Sequence, residues 1–243
     1  MKYALLITLL LSALLPAQSA DEQINQAVAL YETRHLDPDR LKQAYDLLDQ
    51  VIASDSSNLR ANYEQSHVSY LMGDAAQSKN AKLKYYDKGY DRGRKAFQID
   101  DNSADAHLWY VVNRGRQGQT RGVLNSLFMV PEIKREVNRV LEIDPENTVA
   151  LDVKAMLYYE LPGFAGGDLN KSLSALNKAI VLDSNYALLY VDMAKVRIAR
   201  KDYEHARCYL NHCLVIENPT YIADFILDDK PDAERLLKEI EGK

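Results

Sequence analysis

His205, Cys208 and His212 lie at i, i+3 and i+7 of one predicted helix, a spacing that stacks two imidazoles and a thiol along one face. Those are ligands for a soft metal such as zinc or copper. No fourth ligand accompanies them, so the sequence predicts no stoichiometric metal. The five histidines (35, 67, 107, 205 and 212) include no H-E-x-x-H, and there is no G-x-S-x-G and no phosphate loop ending in Lys-Ser/Thr. Gly115, Gly118 and Gly122 follow no strand, so they read as turn formers rather than a dinucleotide fingerprint. The sequence therefore predicts no catalytic residues, no cofactor and no enzyme.

Charge is the next local signal. The formal net charge of −5 argues against general nucleic-acid binding, whose phosphate contacts call for a basic surface. Residues 79–121 run the other way, with ten basic side chains against five acids. Arg114, Arg116 and Arg121 fall in the stretch Arg114–Gly122, which reads as the longest irregular segment of the chain. A planar guanidinium bonds two oxygens of a carboxylate or phosphate at once, so this loop is expected to form an anion-attracting mouth. Its competitor is a solvated helix face.

Tyrosine is over-used, with 16 against 4 phenylalanines, and Trp109 is the sole tryptophan. Tyr63, Tyr70, Tyr110, Tyr158 and Tyr190 fall on the first helix of each predicted pair, where an amphipathic ring suits a core edge or a binding surface. The predicted groove site is Trp109, Tyr110, Arg114, Arg116 and Arg121 with Tyr63 and Tyr158. Of the two cysteines, Cys213 takes a small buried position and Cys208 lies five residues earlier on the same helix. A bond between them would break that helix, so no disulfide is expected.

The elements that must position these residues come from an internal repeat. The pattern Val51–Asp55 recurs as Ala96–Asp100, Val140–Asp144, Ala179–Asp183 and Cys213–Glu217, each with an asparagine close behind. The last interval is the tetratricopeptide repeat length, and the longer ones read as that unit with insertions. Apolar spacings of three and four between the copies give helix hairpins near 21–54, 58–99, 103–143, 147–182 and 185–216, with a charged cap near 229–241. Gly89 and Gly93 are expected to mark close helix approach. In the third pair a short apolar run, 123–130, precedes a helix opened by Pro131. The prediction is an all-α, right-handed superhelix of about five antiparallel hairpins in a single domain from 21 to 243.

Residues 1–20 carry Lys2, an apolar run from Tyr3 to Leu15, and small residues before Asp21. This reads as a cleavable signal peptide, cut after Ser19 or Ala20, with no stable membrane anchor afterwards. A periplasmic or secreted location follows as the expectation.

Tyr190, Ala194, Ala206, Leu210 and Cys213 match the tetratricopeptide spacing, and the chain resembles that class. Over roughly 80–240 it also resembles the T component of TRAP-type solute transporters, through Leu108-Trp109-Tyr110, Val130-Pro131-Glu132-Ile133, Leu141 to Pro145, and Leu161-Pro162-Gly163 with Gly166-Gly167-Asp168. That resemblance implies a periplasmic helical-repeat protein working with a substrate-binding protein. A weaker resemblance is to the helical-repeat regulators of microtubule dynamics, against which the signal peptide argues. Together these predict a binding or scaffold protein with a protein partner; the alternative is a groove holding a small anionic or lipid-like ligand.

Overall fold

A computed structural model describes residues 18–243, so most of the segment expected to be a signal peptide lies outside the described residues. Ten helices pair in chain order: α1 (Ala20–Glu32) with α2 (Arg40–Ser54), α3 (Leu59–Ala75) with α4 (Lys79–Ile99), and α5 (Ala104–Arg121) with α6 (Val123–Ile143). Then follow α7 (Thr148–Glu160) with α8 (Leu169–Leu182) and α9 (Ala187–Ala199) with α10 (Tyr203–Leu214). A short turn, α11 (Ile222–Asp224), and a π-helical turn, Phe225–Asp229, lead into α12 (Lys230–Glu239). No strand occurs among the described residues, and the hairpins stack as a tetratricopeptide-like solenoid.

The acid that closes each repeat has a local reason. Asp55, Asp100, Asp144 and Asp183 are the C-caps of α2, α4, α6 and α8. Each turns its carboxylate onto the backbone N–H two residues on, at 2.9, 2.9, 3.1 and 3.0 Å, an Asx turn that ends one helix and aims the next. Asn58 and Asn147 then accept the N–H of Ala61 and Ala150, both at 2.9 Å, as N-caps worth about 1 kcal/mol each. In the third pair Ser103, not Asn102, supplies this cap. The fifth copy departs from the pattern, since α10 stops at Leu214, before Glu217.

The buried stripes follow the apolar spacing. Ile24, Ala27, Leu41, Leu48 and Val68 form a core between the first hairpin and α3, and Leu176, Ala179, Leu189 and Met193 form another between α8 and α9. Gly93 marks close approach as expected: a Cβ there would meet Tyr110 Cα at 2.6 Å. Both cysteines are free, Cys213 buried and Cys208 exposed.

Three expectations are corrected. The stretch 114–121 is not a loop but the last turns of α5, which ends only where Gly122 adopts φ +111°. Its glycines lie in the helix because it packs between α4 and α6, and tertiary contact overrides weak propensity. Val123–Ile143 is one helix with Pro131 inside it, rather than a short run followed by a new helix. The C-terminal cap is also more than a charged cover: α12 buries Ala233 and Leu236, with Ile240 just beyond it, against α9 and α10.

Candidate functional site

Inner helices α1, α3 and α5 bring an aromatic row together. On α3, Tyr63, His67 and Tyr70 fall at i, i+4 and i+7, one face of the helix. Tyr31 of α1 meets His67 edge-on with ring centroids 4.8 Å apart, and His67 lies flat on Trp109 at 3.5 Å. Tyr70 also stacks near Trp109, with ring centroids 6.0 Å apart, and the Arg116 guanidinium caps Tyr70 at 5.4 Å. Trp109 is half-buried, so the row is partly open.

Electrostatics around the row are set by burial and by carboxylates. Tyr31 O–H donates to Glu64 at 2.9 Å, while burial pushes the Glu64 carboxyl up to about 7. Burial, with Arg34 adding to it, pushes the His67 imidazole down to about 3, so it is neutral at ordinary pH.

A return of the chain crosses the inner side of the superhelix. The Thr220 hydroxyl donates to Asp183 at 2.8 Å, and Tyr221 packs edge-on to Tyr186 at 4.8 Å. Asp224 and Asp228 reach Arg34, 190 residues away in sequence for the first of them, which ties the C-terminal segment to the first hairpin. Asp229, at the end of the π turn, is buried, and its carboxyl is pushed up to about 8 by burial and then by Asp224, Asp192 and Asp228.

Of the residues predicted for the site, the structure brings Trp109 and Arg116 into this row, with Tyr63 on the same face of α3. Tyr110 points the other way, 4% exposed between Tyr90 and Phe97, and its hydroxyl donates to Glu132. Tyr158 takes the Lys171 ammonium over its ring, toward α8. The expected anion-attracting mouth is internally neutralised: Arg114 pairs with Glu132 at 2.8 Å, Arg116 with Asp74 at 3.3 Å and Arg121 with Asp87 at 2.7 Å. Each arginine sits on a helix whose neighbours present an acid, a relation that sequence spacing does not carry. Among the described residues no group of three or more His, Cys, Asp or Glu is placed to hold a metal ion. His205 bonds Asp202 at 2.8 Å, and His212 packs against Tyr190.

Sequence reasoning passed over Glu32, Arg34, Asp105 and the segment 220–229. Tyr31-Glu32 at a helix end and the i, i+4 pair Asp224/Asp228 were the only signals, and neither stands out from a solvated face.

The solenoid is similar to a thermophilic TPR protein of Thermus thermophilus, at a TM-score of 0.69 and 12% identity over 90% of this chain and 100% of that one. It is also similar to a tetratricopeptide repeat protein of Parabacteroides merdae, at 0.59 and 15% over 89% of this chain and 72% of that one. At such identities these likenesses concern the fold alone. In sequence, the chain is 22% identical over 183 residues to "Regulator of microtubule dynamics protein 1" of Bos taurus, covering 68% of this chain and 55% of that protein. It is 28% identical over 76 residues to "Regulator of microtubule dynamics protein 3" of Mus musculus, covering 31% of this chain and 16% of that protein. The chain thus spans about half, or less, of the relatives it matches. No TRAP T component appears among these likenesses, and the weaker of the two sequence resemblances is the one they support. The profile described as "Regulator of microtubule dynamics protein 1-3" matches residues 23–165, well over half of the chain, and the chain belongs to that family.

Proposed function

We propose that this protein is a non-enzymatic scaffold that binds a protein partner on its inner face, with Trp109 at the centre of the contact. The observation that carries this reading is the partly open row Tyr31, His67, Trp109 and Tyr70, contributed by three helices to one surface. Half-buried aromatic rings are the usual anchors of protein interfaces, and the fold is one whose members generally mediate protein interactions. The anionic-ligand alternative loses its main support, because Arg114, Arg116 and Arg121 each already face a carboxylate.

Two finer readings concern the assembly. The composition of residues 1–20 supports export and work in an envelope or solute-uptake assembly. The family match over 23–165 supports instead a role like that named for its relatives, in regulating microtubule dynamics. The shared part, partner binding through the groove, is tested by native mass spectrometry of protein purified from its own host. A retained polypeptide that is lost in the Trp109→Ala variant is the expected result. A retained small molecule, or a polypeptide indifferent to that variant, would overturn the reading.

A further inference from the structure

We infer that the groove beside Trp109 receives a positively charged peptide segment of its partner, its Lys or Arg side chains seated between carboxylates and aromatic faces. This deepens the proposed function and rests on it. The sign is the reverse of the one that the basic stretch 79–121 implies.

The geometry carries the inference through an unbalanced set of charges. Glu32 at the end of α1 follows Tyr31 of the row, Asp105 in the first turn of α5 precedes Trp109 by four residues, and both carboxylates are exposed. The cations within reach are already engaged: Arg34 with Asp224 and Asp228, Arg60 with Glu64, and Arg116 with Asp74. That leaves Glu32 and Asp105 without an ion-pair partner among the described residues. Tyr221, 39% exposed, lies on the returning segment against Tyr186, and after burial the groups that raise its hydroxyl are all carboxylates: Asp183, Asp224, Asp105 and Glu32.

An aromatic ring offers a cation its negative face, and a desolvated site adds to that attraction. Trp109 lies one helical turn after Asp105, so a guanidinium paired with that carboxylate can reach the indole. An acidic segment would instead meet the unpaired carboxylates of α1 and α5, and like charge costs affinity. The groove therefore selects by sign, and the aromatic row holds what the charge admits.

Trp109 is the sole tryptophan, so its emission reports on this site in the full chain. The probes are three peptides of equal length, Arg-rich, Glu-rich and Gly/Ser-rich. The Arg-rich peptide is expected to change the emission saturably, with affinity falling as salt shortens the screening length from about 10 Å at 0.1 M. The double variant Glu32→Gln/Asp105→Asn should weaken it about tenfold or more with the circular dichroism unchanged, whereas Glu204→Gln/Glu217→Gln, a control at two exposed acids on and beyond α10, should not. A response to the Glu-rich or neutral peptide as strong as to the Arg-rich one overturns the inference, as does equal loss in the control. If the Arg-rich peptide fails while a partner from the host still depends on Trp109, the charge assignment falls and the groove reading stands.

Discussion

The imidazole of His67 lies on the indole of Trp109 with ring centroids 3.5 Å apart and planes 8° from parallel. A protonated imidazole in that position would quench the indole, yet burial holds His67 down to about 3. Trp109 emission is therefore expected to stay flat as pH falls from about 8 to about 5, through the range where an ordinary histidine titrates. A fluorescence titration with an inflection near the usual histidine value would show that the ring is hydrated and the stack is open.

Arg114 gives a second outcome, one that the sequence reading placed differently. On an exposed loop its reversal would change stability by no more than about 0.5 kcal/mol. Here its Nε donates to Glu132 at 2.8 Å and its guanidinium sits 5.0 Å from the Tyr90 ring. Arg114→Glu puts two carboxylates together where both side chains are only 22% exposed, and a cost of about 1–3 kcal/mol is expected from urea unfolding. A change below about 0.5 kcal/mol would contradict the pairing.

Stability should also depend on pH in an unusual direction. Asp152, Asp192 and Asp229 are all buried where α7, α9 and the π turn meet, and Lys195, bonded to Asp192 at 2.7 Å, is the cation there. Burial raises Asp152 and Asp229, the latter to about 8, and Glu64 is raised to about 7. The folded protein then keeps protons that the unfolded chain releases above about 4, so this stabilisation is complete below that value and is lost as pH rises through about 7 to 8. The depressed carboxylates Asp55 and Asp202 act oppositely and lose their contribution as pH falls through their lowered values. Denaturant midpoints should therefore be higher near pH 6 than near pH 9. Asp229→Asn should flatten the alkaline fall by about 1–3 kcal/mol. A midpoint that rises between those values would refute the buried, protonated junction.

At the N-terminus, Ser19 caps α1: its hydroxyl accepts the N–H of Glu22 at 3.2 Å, and Glu22 accepts the N–H of Ser19 at 2.8 Å. Export with cleavage after Ser19 or Ala20 removes this capping box, worth about 1 kcal/mol. N-terminal sequencing of exported protein should start at Ala20 or Asp21, and amide exchange should show the first turn of α1 frayed relative to a chain that retains Ser19. Protein that still begins at Met1 and needs detergent for extraction would defeat the export reading.

The hairpins were legible because the repeats write their own ends: at four of them an acid folds back on the backbone that follows, and after three of those an asparagine or serine starts the next helix. Gly93 and Cys213 were legible too: a Cβ at Gly93 would meet Tyr110, and Cys213 is fully buried. What failed was reading Arg114–Arg121 by composition. Gly115 and Gly118 look like turn residues locally, but Gly118 is buried against Ser126 and Met129 of α6, and that contact keeps the helix going. The same blindness to tertiary neighbours made three paired arginines look free. Trp109 is half-buried against His67, while its neighbour Tyr110 is buried on the other side of α5; sequence could not separate the two, because adjacent helix positions differ by about 100° and the deciding packing comes from α4 and α6. The return of residues 220–229 to Arg34 is invisible in sequence, as nothing local links positions 190 apart.

The central claim, that partners dock on the inner face around Trp109, is tested most directly by site-specific photocrosslinking in the host. A benzophenone side chain is placed at Tyr63, on the α3 face that bears His67 and Tyr70, and separately at Val181, which is 86% exposed on the outer helix α8. The account predicts one discrete crosslinked polypeptide from position 63, lost when Trp109→Ala is added, and none from position 181. Crosslinking at 181 alone, or a product at 63 that survives Trp109→Ala, would contradict it.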